Sequence, residues 1–290
     1  MPTRQPFTAL CQALRRGRPV DRFDLHVHTT QSDGVYTAAE VVDLARRSGL
    51  AGVAVTDHDT LGGIGEARAA AGPNLEVIAG VEITSEFAGR ELHLLGYMFR
   101  PDDAALAAGL ERLRVHRAGR FQEMVERLRA CGVSISEDEL RAVRGSASLG
   151  RRHLAELLVR TRRAGSIREV FVRYLHDGGR AAVPKYRLPV REAVALVRGA
   201  GGVTSWAHPG ADCTRESLTR LCGEGLQAVE AAFPSCRTSR HRQLRAWAAA
   251  LGLAVTGGSD CHGPGPYRQA VGACGVSDAE LATLRQLASS

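Results

Sequence analysis

Short apolar segments that run directly into histidine and carboxylate residues are the feature that most constrains the fold of this chain. Apolar runs at 23–27, 51–55, 202–207 and 253–257 lead into the stretches DLHVH, TDHD, WAHP and GSDCH. Runs of this length, bounded by polar residues, are typical of β-strands. Because strand ends on a barrel can converge from distant parts of a sequence, we expect these side chains to meet at one barrel mouth.

Strand and helix signals alternate along most of the chain, which favours an α/β fold with a parallel sheet and helices outside it. A capping box at Thr37 and Glu40 predicts the start of a helix that Gly49 ends. We predict further strands at 50–56, 75–84, 91–99 and 227–233, with a polar turn at Gly89. Further helices are expected at 7–15, 64–71, 190–199, 237–251 and 278–288, and another ending at 218–223.

The middle of the chain has helical periodicity, many arginines and no convincing strand. Residues 102–131 predict one long helix or two, and shorter helices are expected at 137–144, 152–160 and 167–175. We therefore divide the chain into a barrel, formed by residues 1–100 and 178–290, and a helical insertion at 101–177 that packs over one face of the barrel.

Composition and charge limit the possible locations and partners of the protein. The 290 residues contain no apolar run long enough for a membrane span, and the N-terminus has no apolar signal segment, so we expect a cytoplasmic protein. Nothing indicates a membrane or an obligate protein partner. The net charge of +7, carried by arginines and the single lysine Lys185, favours phosphorylated metabolites or nucleic acid, although aromatic residues make up only 5%. The seven scattered cysteines include no C-x-x-C pair, which argues against disulfides and thiolate zinc sites.

The polar residues at the predicted strand ends have the chemistry of metal ligands. His26 and His28 are two apart on a strand, so both rings point to the same face. His93 lies in an alternating strand, where a hydrogen-bonded core histidine is the alternative interpretation. Imidazoles and carboxylates without thiolates suit Mn²⁺, Fe²⁺ or Zn²⁺. The candidate ligands are His26, His28, Asp33, His58, Glu82, His93, His208, Asp260 and His262, which include six of the ten histidines.

These residues resemble the PHP (polymerase and histidinol phosphatase) superfamily. H-x-H with a following aspartate, T-D-H-D, G-V-E, H-L-L-G-Y, A-H-P-G and G-S-D-x-H-G occur in the family order and cover nearly the whole chain. The helical insertion, G-R-R-H at 150–153 and V-P-K-Y-R at 183–187 are similar to one subgroup. Its members are bacterial 3′,5′-nucleoside bisphosphate phosphatases and related 5′-to-3′ exoribonucleases.

The resemblance implies a distorted (β/α)7 barrel that holds three divalent metal ions, with Mn²⁺ expected first and Fe²⁺ or Zn²⁺ as alternatives. It implies phosphomonoester hydrolysis of nucleotides by attack of a metal-held hydroxide on phosphorus. By position, the first ion would be held by His26, His28, Glu82 and Asp260, the second by Glu82, His93 and His208, and the third by Asp33, His58 and His262.

Several other residues are candidates for contacts with the substrate. Arg151, Lys185 and Arg187 are expected to bind phosphate, because guanidinium forks and ammonium groups fit phosphate oxygens. Ordinary surface charge is the alternative for the two arginines. His153 is expected to orient the substrate or donate a proton, unless it only begins a helix. Asp57 is expected to support a ligating histidine. Cys236 lies in a P-S-C stretch where relatives often have a histidine that faces the phosphate.

Other activities stay open at this point. The substrate could be the 5′ end of an oligoribonucleotide, degraded one nucleotide at a time, or histidinol phosphate. Amide or lactone hydrolysis would use similar metal chemistry. A different class of function is a non-catalytic, metal-stabilised scaffold that binds nucleotides.

Overall fold

The strands form one sheet in the computed structural model, which describes residues 22–143, 149–264 and 270–289. In this part of the chain the strands are β1 (Arg22–Val27), β2 (Gly52–Val55), β3 (Glu76–Phe87), β4 (Arg90–Tyr97), β5 (Leu188–Pro189), β6 (Val203–Trp206), β7 (Ala228–Ala232), β8 (Ala254–Gly257) and β9 (Val276–Ser277). Their order is β8-β7-β6-β4-β3-β2-β1-β9, and β5 pairs with β3. The two-residue strands β5 and β9 are too short to be recognised from periodicity.

The sheet curls into a nearly closed barrel, because the chain that follows β8 bonds to the end of β1, beyond the two residues of β1 that pair with β9. The backbone N–H of Asp260 donates to the carbonyl of His26 at 2.8 Å, and the N–H of His28 donates to the carbonyl of Cys261 at 3.0 Å. Seven strands surround the interior: β1, β2, β3, β4, β6, β7 and β8. The expected distorted (β/α)7 barrel is therefore confirmed.

Strand β4 distorts the barrel, because it runs antiparallel to both of its neighbours, β3 and β6. Only Ala88 and Gly89 connect β3 to β4, and both have positive φ, 52° and 76°. Two such residues are typical of a type I′ hairpin turn. The prediction of a parallel sheet is wrong for β4, since a two-residue turn can only reverse the chain.

The helices cover the outside of the barrel and one of its ends. The predicted capping box is present, with the Thr37 hydroxyl accepting from the Glu40 N–H and the Glu40 carboxylate accepting from the Thr37 N–H. In the described part of the chain the helices are α1 (Ala38–Arg47), α2 (Gly62–Ala71), α3 (Ala104–Ala130), α4 (Glu137–Arg141), α5 (Arg151–Arg160), α6 (Ile167–Val170), α7 (Val190–Gly199), α8 (Arg215–Gly223), α9 (Thr238–Leu251) and α10 (Asp278–Ala288).

The long helix α3 joins two hydrophobic cores. Its first half places Leu106, Leu110 and Leu113 in the core that contains β3 and α7. Its second half, including Phe121 and Met124, packs with α5 and α6 in a separate core. At 1.5 Å per residue the helix is about 40 Å long, enough to carry the chain across the barrel mouth. The division into a barrel and an insertion at 101–177 stays a prediction.

The remaining element predictions differ from the structure in detail. Residues 102–131 form one helix, α3, and 167–175 form α6 followed by a π-helical turn, Phe171–Leu175. The helix predicted at 7–15 lies outside the described residues. Among those residues, no helix combines the length and apolar character that a membrane span requires.

Candidate metal centre

The carboxylate of Glu82 lies at the centre of the histidine cluster. This side chain projects from β3 into the barrel and is almost completely buried. Its Oε1 lies 2.8 Å from His93 Nδ1 and 3.0 Å from His208 Nε2. Its Oε2 faces three other imidazoles, 3.4 Å from His26 Nε2, 3.2 Å from His28 Nε2 and 3.1 Å from His58 Nδ1. The two oxygens of one carboxylate thus serve two different sets of imidazoles, which is the arrangement of a bridging ligand.

A second group of ligand atoms lies beside the first, where the chain after β1 meets the chain after β8. Asp33 Oδ1 is 3.3 Å from His262 Nε2 and 3.7 Å from His28 Nδ1. Asp260 Oδ1 is 3.2 Å from His28 Nε2. Three groups have ligand atoms within 4.8 Å of one another: His28, Asp33, His58 and His262; His26, His28 and Glu82; and His58, Glu82 and His93. All nine predicted ligands therefore gather at one end of the barrel.

The residues in this cluster fit divalent cations. Within the described chain, the buried atoms His28 Nδ1, His58 Nδ1 and Asp33 Oδ1 have no hydrogen-bonding partner. Buried polar atoms normally have partners, so these three require an explanation such as a bound ion. Imidazole and carboxylate donors without thiolates also match the ions expected from the sequence.

The backbone at the ends of the strands is strained. His208 and Asp260, two of the candidate ligands, have positive φ angles of 28° and 49°, and Asp59 beside His58 has 55°. Such conformations cost about 1–3 kcal/mol each in residues other than glycine and cluster at functional sites. The surrounding hydrogen bonds hold these residues in place. The positions of their side chains therefore outweigh the energetic cost of the backbone strain.

Carboxylates and imidazoles strongly perturb one another in this cluster. Burial lowers the pKa of His28, but hydrogen bonds to Asp260 and Glu82 outweigh burial and raise it to about 10. Burial also opposes the charged form of His93, but Glu82 raises its pKa to about 9. Burial raises the pKa of Glu82, but the neighbouring imidazoles hold it well below its usual range. Carboxylates therefore attract positive charge to this end of the barrel, whether protons or metal ions carry it.

Two carboxylates that the sequence analysis missed contact the candidate ligand histidines and orient them. Glu230 on β7 is fully buried, and its Oε1 lies 3.1 Å from His26 Nδ1 while its Oε2 accepts from the His208 backbone N–H at 2.6 Å. Glu91 on β4 lies 3.2 Å from His93 Nε2. The available signal for Glu230 was a lone acidic residue within the apolar strand AVEAA. A buried carboxylate that binds one ring nitrogen fixes the tautomer and leaves the other nitrogen free to ligate.

We predict that Glu230→Gln lowers metal affinity roughly 10- to 100-fold, because an amide holds His26 less firmly and does not raise its basicity. Metal titration followed by isothermal calorimetry would measure the change. Glu224→Gln is the matched control, because Glu224 caps the end of α8 and pairs with the exposed Arg191 instead of a histidine. An unchanged affinity in Glu230→Gln would contradict the orienting role.

Asp57 organises a loop and makes no hydrogen bond to a histidine in the described structure. Its Oδ1 accepts from the Thr29 N–H at 2.7 Å and the Ser32 hydroxyl at 2.6 Å, and its Oδ2 accepts from the Thr29 hydroxyl at 2.7 Å. The sequence analysis expected it to support a ligating histidine directly. The structure indicates an indirect contribution, since this loop leads from His28 to Asp33.

A cavity of about 660 Å³ opens from the metal centre toward the helices over the barrel mouth. Asp33, His58 and His93 are among the residues that line it. A second set of lining residues, which we call the arginine wall, comes from α3 and α5 and comprises Arg117, Arg120, Arg151, Arg152 and His153. This volume is within the ordinary range for small-molecule sites. Any ligand that fills the cavity contacts both the metal centre and cationic side chains.

The predicted substrate contacts divide into two groups. Arg151, His153 and Lys185 line the cavity. Arg187 and Cys236 are not among the described residues that line it. Arg187 Nε instead donates to Glu91 at 2.9 Å, and Cys236 packs beside the barrel core.

Arg117 and Arg120 in the arginine wall were missed by the sequence analysis. Both lie on α3, in a segment where arginines occur on every side of the helix. Arg117 bonds to the carboxylate of Asp59 and to the Thr84 hydroxyl. Sequence spacing alone could not show which arginines of this helix face the barrel mouth.

Comparisons with known proteins agree with this geometry. The PHP domain family matches residues 24–156. A 3′,5′-nucleoside bisphosphate phosphatase from Chromobacterium violaceum is 34% identical over 256 residues, which cover 86% of this chain and 90% of that protein. A 5′-3′ exoribonuclease from Haemophilus influenzae is 31% identical, over 84% of this chain and 90% of that protein. The solved structure of a candidate metal-dependent phosphoesterase from Bifidobacterium adolescentis has a TM-score of 0.81 and 30% identity, covering 93% of this chain and 97% of that one. The chain thus belongs to the PHP family of metal-dependent phosphoesterases.

Proposed function

We propose that this protein hydrolyses phosphomonoesters of nucleotides, with 3′,5′-nucleoside bisphosphates as its substrate class. The observation that carries the proposal is a single cavity of about 660 Å³ lined both by candidate metal ligands and by the arginine wall. A substrate with two phosphates has one anionic group for each of these two sets of side chains. The 34% identity to a phosphatase with that named activity supports the same substrate class.

We infer that the nine clustered ligands hold three divalent ions, with Mn²⁺ expected and Fe²⁺ or Zn²⁺ as alternatives. The first ion would use His26, His28, Glu82 and Asp260, the second Glu82, His93 and His208, and the third Asp33, His58 and His262. Overlap among the three groups of ligand atoms, which share His28, His58 and Glu82, supports closely spaced ions. When bound, divalent ions neutralise phosphoryl oxygens and lower the pKa of water.

His153 is proposed to orient the substrate by a hydrogen bond to the leaving-group oxygen. Its Nδ1 accepts a hydrogen bond from the Gly150 backbone N–H at 3.2 Å, so the neutral ring carries its proton on Nε2. Burial lowers the pKa of His153, which favours this neutral form. The ring also lines the cavity. The Nε2–H is therefore available to donate a hydrogen bond to the oxygen that departs from phosphorus, which orients the ester and stabilises charge on that oxygen.

Lys185 and Arg151 are the proposed cations that bind the scissile ester. Lys185 Nζ is held by Glu91 Oε1 at 2.7 Å, and the same carboxylate contacts His93. Glu91 thus fixes a cation and a candidate metal ligand in one hydrogen-bonded group. Arg187 acts through Glu91 in this proposal, and Cys236 has no direct role.

Metal removal tests the proposal. We expect the protein to lose phosphate release after a chelator removes its metal, and to regain it when Mn²⁺ is added. Divalent ions would supply the positive charge that neutralises the phosphoryl oxygens. Phosphate release would be measured on adenosine 3′,5′-bisphosphate, histidinol phosphate and a short 5′-phosphorylated RNA. The bisphosphate should have the highest kcat/KM.

Metal analysis of the same samples separates the alternatives. Three bound ions with no phosphate release from any substrate would favour the non-catalytic scaffold. Preference for the RNA would favour the second candidate, a 5′-to-3′ exoribonuclease. The observation behind that candidate is the 31% identity to a named exoribonuclease over 84% of this chain.

A further inference from the structure

Arg120 differs from the other non-histidine cations that line the cavity. Each of the other four pairs with a carboxylate: Arg117 with Asp59, Arg151 with Asp177, Arg152 with Glu156 and Lys185 with Glu91. Across the described residues, no carboxylate forms an ion pair with Arg120. A half-buried cation that lines a cavity, with no carboxylate within ion-pair distance among the described residues, is suited to an anionic ligand.

Hydrogen bonding already orients the Arg120 side chain. Its Nε donates to the backbone carbonyl of Val183, a residue outside α3, at 2.8 Å. This bond fixes the guanidinium plane and leaves both terminal nitrogens for another acceptor. Arg117 lies three residues earlier, on the same face of the helix, but its guanidinium is bound to Asp59.

The surroundings of Arg120 favour the arrival of negative charge. Burial and the positive charges of Arg151 and Arg117 lower the pKa of Arg120 to about 10, although the more distant carboxylates of Glu91 and Asp177 act in the opposite direction. The side chain stays protonated at neutral pH, but burial and its cationic neighbours act against that charge. A doubly charged phosphate in the cavity would relieve this repulsion and accept a paired hydrogen bond from the guanidinium fork.

We propose that Arg120 binds the phosphate of the substrate that is not cleaved, while the scissile phosphate lies at the metal centre. This inference rests on the proposed nucleoside bisphosphatase function and adds to it the residue that distinguishes bisphosphates from monophosphates. Arg120 shares one cavity with Asp33, His58 and His93, so a single nucleotide in this cavity can contact both Arg120 and the candidate metal ligands. The two phosphates of a 3′,5′-bisphosphate project from opposite sides of the ribose, as two separate binding points require.

The test compares Arg120→Met with wild-type enzyme on adenosine 3′,5′-bisphosphate, adenosine 3′-monophosphate and adenosine 5′-monophosphate. Methionine keeps the apolar stem and removes the charge. We expect kcat/KM for the bisphosphate to fall roughly 10- to 100-fold, mainly through KM, since a charge-assisted hydrogen bond is lost. The kcat/KM for the monophosphate that the enzyme hydrolyses should change less than about threefold, because that substrate lacks the phosphate that Arg120 binds. Arg120→Lys keeps the charge without the guanidinium fork. Its kcat/KM for the bisphosphate should therefore lie between those of wild type and Arg120→Met.

Arg114→Met is the matched control, because Arg114 lies on the same helix, is exposed and pairs with Glu111 at 2.6 Å. It should leave every rate unchanged. An equal loss on all three substrates in Arg120→Met would indicate a structural role and overturn the inference. If Arg120→Met keeps the wild-type preference for the bisphosphate over the monophosphates, the role of Arg120 is overturned but the proposed substrate class is not. A wild-type enzyme without any preference for the bisphosphate would overturn both this inference and the proposed substrate class.

Discussion

Glu82→Ala is expected to abolish phosphate release while the barrel stays folded. One oxygen of this carboxylate contacts His93 and His208, and the other contacts His26, His28 and His58. No other described residue joins so many candidate ligands. Metal ions supply several kcal/mol of charge stabilisation in such hydrolases, so we expect kcat/KM to fall roughly a thousandfold or more. Phosphate release and metal content should be measured on the same preparation.

The control for this variant comes from the same strand. Glu86→Ala removes a carboxylate four residues further along β3, where the side chain is exposed to solvent. It should retain metal content and activity. Glu82→Ala with full metal content and wild-type turnover would show that this carboxylate does not bridge the metal sites. Thermal unfolding of both variants shows whether any loss arises from unfolding.

Gly258→Ala is expected to destabilise the whole barrel. A Cβ atom at this position would lie 2.3 Å from the backbone nitrogen of His26 and 2.7 Å from its Cα. These atoms belong to β1 and cannot move without opening the contact that closes the sheet. Inserting a methyl group into well-packed surroundings costs about 1–3 kcal/mol, and a backbone clash should reach the upper end or more. Urea unfolding would measure the loss of unfolding free energy.

A second glycine provides the comparison. Gly119 lies within α3, and an added Cβ would meet no other atom within 4 Å. Gly119→Ala should therefore stabilise the protein by about 0.5–1 kcal/mol, because alanine favours the helix. Equal unfolding midpoints for wild type and Gly258→Ala would contradict the close approach of β8 to β1. Metal binding should weaken together with stability in Gly258→Ala, since His26 is the residue displaced.

The strands and the ligand cluster could be predicted because local signals agreed with each other. His26 and His28 alternate on one strand, and Asp260 and His262 follow another, so period and residue type indicate the same barrel mouth. The Thr37 capping box likewise depends on residues three positions apart. The antiparallel direction of β4 was not predicted, because it depends on the turn at Ala88 and Gly89. The positive φ values of these two residues cannot be read from residue composition.

Supporting residues could not be predicted because their partners are remote in sequence. Glu230 is 204 positions from His26, and nothing in the apolar strand around it indicates which histidine it orients. The sequence also did not indicate that Lys185 and Arg187 both donate to Glu91, nearly 100 positions away. Arg120 was hidden among the other arginines of α3, since charge patterning shows that a helix is basic but not which side faces a cavity.

The sequence by itself determined the family, the alternation of strands and helices, and the metal-ligand chemistry, because these depend on residue type and short spacing. Only the tertiary structure decided which carboxylates neutralise which cations, since ion pairing depends on distances between segments that no local pattern encodes. Glu82 could be recognised as a candidate ligand from its position in G-V-E, but its contact with five imidazoles exists only when the barrel closes. Arg120 has no ion-pair partner among the described residues for the same reason: folding places it in the cavity, while the neighbouring cations Arg117 and Arg151 each pair with a carboxylate.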